Sequence, residues 1–111
     1  MRHELFPASV RASLPPLYSQ EKNDNPLVGL KFFTPSNRWT WFVIDGSPLD
    51  SDGEVIAPGE DKVQADFLFF GLVQGSEVEL GYFTLRELET CFIERDMYWR
   101  PKSLQDVRAS L

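Results

Sequence analysis

The longest apolar run in the chain is Phe67-Leu68-Phe69-Phe70-Gly71-Leu72-Val73. Near-continuous hydrophobicity over so short a stretch predicts a strand, Phe67 to Gln74, buried on both faces. Gly71 in its middle marks a bulge or the close approach of another backbone. Other segments alternate with a period of two, the spacing of strands. From Leu27 to Thr34, Val28, Leu30 and Phe32 point one way and Gly29, Lys31 and Phe33 the other. From Trp39 to Asp45, Trp39, Trp41 and Val43 share one face and Thr40, Phe42 and Ile44 the opposite one. Pro35-Ser36-Asn37-Arg38 supplies turn chemistry between these two, so they form an antiparallel hairpin. Val78 to Phe83 is a further strand, joined to the central run across Gly75-Ser76. Large apolar groups on both faces mean that the sheet is covered on both sides or leaves an aromatic face for a partner.

Helical signals flank this sheet. Pro7 to Leu14 predicts a short helix with Val10 and Leu14 on one side, anchored by Leu5 or Phe6 and stopped by Pro15-Pro16. Thr84-Leu85-Arg86-Glu87 has the spacing of a capping box, with Phe83 and Leu88 placed as its hydrophobic staple. A last strand is expected over Arg95 to Trp99, closed by Pro101. Ser103 then starts a terminal helix with Leu104, Val107 and Leu111 on one side. The expected fold is α+β: a small antiparallel sheet of four to five strands with short N-terminal, central and C-terminal helices. A length of 111 residues makes a single domain, 1–111, the expectation.

Charge changes this picture in one place. The net charge is −6, and the stretch from Asp45 to Asp66 holds seven acids and one base, which is also −6. The remainder holds ten acids and ten bases. The protein therefore reads as a neutral body with an acidic loop over 46–65, where Asp50, Asp52, Glu54, Glu60 and Asp61 are the candidate partner-binding residues. A nucleic-acid-binding surface needs a basic stripe, and none is present, so direct nucleic-acid binding is not expected. An acidic surface suits a protein partner with a basic surface. The loop has one apolar pair, Val55-Ile56, and a candidate hairpin tip at Asp52-Gly53. Aligning Gly53 with the invariant glycine of a calcium loop puts Pro48 and Gly59 at ligand positions, which rules out an EF-hand. Oxygen ligands alone leave room only for a weak, nonspecific cation site.

Candidate chemistry is sparse. Serine or cysteine hydrolysis needs a base, most often histidine, and the single histidine is His3 near the N-terminus. One cysteine, Cys91, makes neither a zinc cluster nor an internal disulfide; it fits a reducing, cytoplasmic setting and is expected to be a small buried residue. No cofactor or metal is expected. No apolar run approaches a membrane span, and no hydrophobic signal segment follows Met1. Pro15-Pro16-Leu17-Tyr18 matches a WW-domain ligand, yet it also reads as a rigid turn whose Leu17 and Tyr18 pin the first helix to the core. A carboxylate cluster of Glu79, Glu94 and Asp96 with Arg95, near Lys31, would serve a small enzyme if the short strands adjoin, and otherwise forms an ion-pair surface. Phe33, Trp39, Trp41 and Tyr82 would form an aromatic platform for a partner or for self-association, or else fill the core. The chain is expected to be a monomer or small homo-oligomer.

Five ordered blocks resemble a bacterial family known as the domain of unknown function 2958. They are Leu14-Pro15-Pro16-Leu17-Tyr18; Lys31-Phe32-Phe33-Thr34-Pro35 with Trp39-Thr40-Trp41; and Asp66 through Val73. Then follow Glu79-Leu80-Gly81-Tyr82-Phe83 with Leu85 and Leu88-Glu89, and Ile93-Glu94-Arg95-Asp96 with Tyr98 and Pro101. They span residues 14 to 101. The resemblance implies a small accessory protein of plasmids, phages or integrating elements, often encoded beside anti-restriction genes, with no assigned activity. Two departures from the family pattern stand out: the 46–65 loop is longer and more acidic, and the link from Leu88-Glu89 to Ile93 is shorter. The function expected from all of this is a non-enzymatic interaction module of a mobile genetic element, an inhibitor of host defence (anti-CRISPR or anti-restriction). It would bind a basic groove that otherwise holds nucleic acid.

Overall fold

The computed structural model describes residues 4–111; His3 lies outside them. The fold is α+β. In chain order its elements are α1 (Ala8–Ala12), β1 (Leu27–Val28), β2 (Leu30–Phe33), β3 (Thr40–Leu49), β4 (Asp66–Gln74), β5 (Val78–Thr84), α2 (Leu85–Glu89), β6 (Glu94–Arg95), β7 (Lys102–Ser103) and α3 (Leu104–Ala109). Five strands form an antiparallel sheet in the order β5-β4-β3-β2-β6. A second, two-stranded sheet pairs β1 with β7.

Strand alternation sorts the core into two layers, one on each face of the sheet. Leu30, Phe32, Val43, Phe67 and Phe69 point to one face, where Phe6, Phe83, Leu88 and Ile93 cover them. Phe42, Ile44 and Leu72 point to the other, under Val28, Leu104 and Val107. The inner strands are thus covered on both sides, but β4 is less evenly buried than its sequence predicts. Phe67 and Phe69 are buried on one face, whereas on the other Leu72 is buried and Leu68 and Phe70 are half-buried, because the covering elements there are short. Gly71 marks close backbone approach: a Cβ there would overlap the Phe42 carbonyl oxygen of β3.

The helices follow local chemistry. Thr84 Oγ1 accepts from Glu87 N at 3.2 Å and the Glu87 carboxylate accepts from Thr84 N at 3.2 Å, the reciprocal capping box of α2. Ser103 caps α3 by accepting from Asp106 N at 3.1 Å. Pro7 is the N-cap residue of α1 rather than part of its first turn. The segment before β1 holds α3 in place: Leu104 N donates to Pro26 O at 2.8 Å and Gln105 N to Asn25 Oδ1 at 2.8 Å.

Several boundaries differ from the sequence expectation, each for a local reason. The strand expected over Leu27–Thr34 breaks at Gly29, whose N–H donates to Val43 O. The break sends Val28 to the opposite face from Leu30 and Phe32. The strand expected to stop at Asp45 runs on to Leu49, because a bulge between Val43 and Asp45 re-registers it against Phe67–Phe70. The loop therefore starts at Asp50, not Gly46. The strand expected over Arg95–Trp99 is only Glu94–Arg95: Asp96 Oδ1 accepts from Tyr98 N and turns the chain away. Leu111 is exposed rather than packed with Leu104 and Val107, and Cys91 is exposed rather than buried.

Candidate functional site

The acidic segment is built on the end of β3. Ile56 is buried and its N–H donates to Pro48 O at 2.9 Å, while Ala65 N donates to Leu49 O at 2.8 Å. Those contacts pin the middle and the end of the loop to the strand. Asp50 Oδ1 accepts from Asp52 N at 2.9 Å and Glu54 N at 3.0 Å, and Gly53 takes the left-handed φ of +80° that closes this tip. Glu60 accepts from Ala57 N at 2.7 Å. Lys62 bridges both acids, at 3.7 Å from Asp50 and 3.4 Å from Glu60. The backbone hydrogen bond from Glu54 holds the Asp50 carboxyl below its usual range, and the one from Ala57 does the same for Glu60, with Lys62 assisting both. Asp52, Glu54 and Asp61 are exposed, and among the described residues their side chains take part in no hydrogen bond or ion pair.

Two acids of the −6 segment do not belong to this surface. Asp66 caps: its Oδ1 accepts from Phe67 N at 2.8 Å and from Arg86 N, in the first turn of α2, at 3.0 Å. Asp45 is buried on β3. The loop surface proper carries Asp50, Asp52, Glu54, Glu60 and Asp61 against Lys62, five acids less one base, or −4.

The carboxylate cluster proposed from sequence does not assemble. Glu79 lies on β5 and Arg95 on β6, the two edges of the sheet, at opposite ends of the cross-strand row Glu79, Val73, Trp41, Phe32, Arg95. Four inter-strand spacings separate them, roughly 19 Å. Lys31 and Asp96 do meet, at 3.8 Å, and Lys31 Nζ also lies over the Trp99 ring at 5.5 Å from its centroid. Glu94 is exposed beside them, along an open groove of about 880 Å³ that Phe33, Phe92 and Tyr98 also line. Arg95 Nε is buried there without a hydrogen-bond partner among the described residues.

The aromatic platform divides as well. Trp39 and Trp41 lie tilted against each other with centroids 5.9 Å apart, Trp41 packs on the core, and the Trp39 ring lies against Gly75. Tyr82 pairs across strands with Phe70 and belongs to the other face of the sheet, as does Phe33, one residue out of phase with Phe32. The Pro15-Pro16-Leu17-Tyr18 segment is docked on β3, not free for a ligand groove. Gly46 N donates to Pro15 O at 3.1 Å, and buried Leu17 donates through its N–H to the Ser47 hydroxyl at 2.9 Å. Tyr18 follows with φ of +69°, a left-handed conformation uncommon for an aromatic residue, and its ring is turned outward beside Tyr82 at 6.2 Å.

That arrangement encloses a pocket that sequence reasoning missed. It has a volume of about 290 Å³, and Asp45 lines it together with Tyr18, Glu21, Asp24, Phe70 and Tyr82. Asp45 is 2% exposed and its Oδ1 has no hydrogen-bond partner among the described residues. Burial pushes its carboxyl up from 3.8 to about 6; backbone hydrogen bonds from Gln20 and Tyr18 oppose the shift, and Glu21 adds to it. Tyr82 is raised too, by partial desolvation first and then by Tyr18, Glu21 and Asp45. The bulge explains the position: it turns both Ile44 and Asp45 toward the α3 side, where strict alternation would have sent Asp45 to the other face. The available signal was an acid directly following four large strand formers, Trp41 to Ile44.

Comparisons with protein-family models, with curated proteins and with solved structures found no match to this chain. No helix among the described residues is long and apolar enough to cross a membrane, and no group of three or more His, Cys, Asp or Glu among them is placed to hold a metal ion.

Proposed function

We propose that this chain is a non-enzymatic interaction module that presents the acidic loop 50–61 to a basic surface on a protein partner. The observation that carries the reading is the loop itself: a net charge of −4 on a pinned backbone, with Asp52, Glu54 and Asp61 exposed and uncommitted. A pre-organised loop loses little conformational freedom on docking, and a segregated charge steers encounter. Glu79 lies at the opposite edge of the sheet from Glu94 and Asp96, which lends the three-carboxylate enzyme reading no support. The resemblance of the ordered sequence blocks to the domain of unknown function 2958 motivates a setting in a mobile genetic element. In that setting the partner is a host defence protein with a nucleic-acid groove, and the protein works in the cytoplasm.

The test is affinity capture from the native host at low and high salt, using the parent chain and the variant Asp52→Asn/Glu54→Gln/Asp61→Asn. The expected result is a partner with a basic surface that high salt releases and that the variant fails to retain. Equal recovery by parent and variant overturns the role of the loop.

A further inference from the structure

We infer that the Asp45 pocket receives a lysine side chain of the protein partner, with the Asp45 carboxylate accepting a hydrogen bond from the ammonium and the Tyr18, Phe70 and Tyr82 rings flanking its alkyl stem. This rests on the reading of a basic partner and names the residue type that the partner inserts.

Charge comes first. The ionisable side chains lining the pocket are Asp45, Glu21, Asp24, Tyr18 and Tyr82, with no base among them. A buried carboxylate without a countercharge is costly unless paired, and a cation entering the pocket supplies the missing partner. Size comes next. A volume of about 290 Å³ lies at the lower edge of the roughly 300–1,000 Å³ range of small-molecule pockets, suited to one long side chain. The walls match a flexible apolar stem: Phe70 and Tyr82 lie 4.9 Å apart, and Tyr18 and Tyr82 meet edge to face. Aromatic faces also attract the ammonium itself. A compact ammonium needs only one acceptor. The buried Asp45 carboxyl has an oxygen without a hydrogen-bond partner among the described residues, so lysine suits this narrow pocket better than the wider guanidinium fork of arginine. The rim is open to an incoming chain, because Tyr18 is 49% and Tyr82 55% exposed. The Leu17–Ser47 hydrogen bond fixes the backbone next to Tyr18 on this rim.

The experiment titrates the ¹⁵N-labelled full chain with Nα-acetyl-lysine N-methylamide at physiological salt and follows amide shifts. The expected shifts centre on Tyr18, Gln20, Asp45 and Tyr82. The norleucine analogue, which has the stem without the charge, should not reproduce them. The trimethyl-lysine analogue, which has the charge without an N–H, should bind more weakly. Asp45→Asn should weaken binding about tenfold, the order expected for a hydrogen bond to a charged group. Tyr82→Ala, at an exposed edge-strand position, should weaken it without touching the carboxylate. Asp52→Asn/Glu54→Gln/Asp61→Asn should leave the probe affinity unchanged, since charges more than about 8 Å away are screened at this salt. Equal binding of the norleucine analogue, tighter binding of the trimethyl or arginine analogue, or an undiminished affinity in Asp45→Asn overturns the assignment. A loop variant that loses the partner while the parent chain ignores the lysine probe defeats this inference alone. A parent chain that binds the probe while the loop variant keeps the partner defeats the loop reading instead.

Discussion

Asp45 is the residue whose environment departs furthest from its chemistry. With its carboxyl raised from 3.8 to about 6, the folded chain holds a proton over a window in which the unfolded chain has released it. Stability contributed by the protonated group is fully present below about pH 4 and is lost as pH rises through about 6. Asp45→Asn keeps the shape and cannot ionise. In thermal melts from pH 4 to pH 8, the melting temperature of the variant should gain on the parent as pH rises, because the acids common to both cancel. A difference independent of pH would mean that the carboxylate is not desolvated. Gly71 is the second residue held by its surroundings. The added methyl of Gly71→Ala meets the Phe42 backbone rather than a movable side chain, so β3 and β4 must part. The cost should be about 3 kcal/mol or more in urea unfolding. At its cross-strand neighbour Gly81 an added methyl would meet nothing within 4 Å, so Gly81→Ala should stay within about 0.5 kcal/mol of the parent.

At the scale of elements, legibility follows how local the determining interaction is. The α2 cap was readable because Thr84, Glu87 and the staple pair Phe83 and Leu88 fall within six consecutive positions. Thr84→Ala should cost about 1 kcal/mol and raise amide exchange at Glu87, whose N–H loses its acceptor. Unchanged stability and protection would show that α2 is held by Leu88 packing alone. The β4 core was readable for the same reason, as one uninterrupted apolar run. The second half of β3 was not. Asp45-Gly46-Ser47-Pro48 has poor strand propensity, and it is held extended by distant partners, β4 on one side and Pro15 and Leu17 on the other. The pairing of β1 with β7 leaves no mark in the sequence either, since two-residue strands carry no periodicity and Leu27 meets Ser103 from across the chain. The split of Glu79 from Glu94 is also a matter of strand order, which sequence proximity does not encode.

For the whole molecule, the decisive property is where charge stands relative to the packed body. The Asp45 pocket and the loop are linked by one strand, with Asp45 five residues, or about 16 Å, before Asp50, where the loop begins. A single basic partner surface can therefore span both, and the two should separate kinetically. Neutralising Asp52, Glu54 and Asp61 takes the loop surface from −4 to −1 and removes no hydrogen bond or ion pair among the described residues. Folding stability should remain within about 0.5 kcal/mol of the parent. Excising the whole of 48–62 would be a poorer test, because Pro48 and Leu49 belong to β3 and Ile56 is buried. Once the partner is captured, stopped-flow association with the triple variant should be slower at low salt and depend less steeply on ionic strength, with dissociation little changed. Asp45→Asn should do the reverse, since a buried contact forms after encounter and its loss shows in the dissociation rate. If both variants alter the same rate constant, the loop and the pocket do not divide steering from anchoring. A fall in association only for the loop variant, with faster dissociation only for Asp45→Asn, establishes that division.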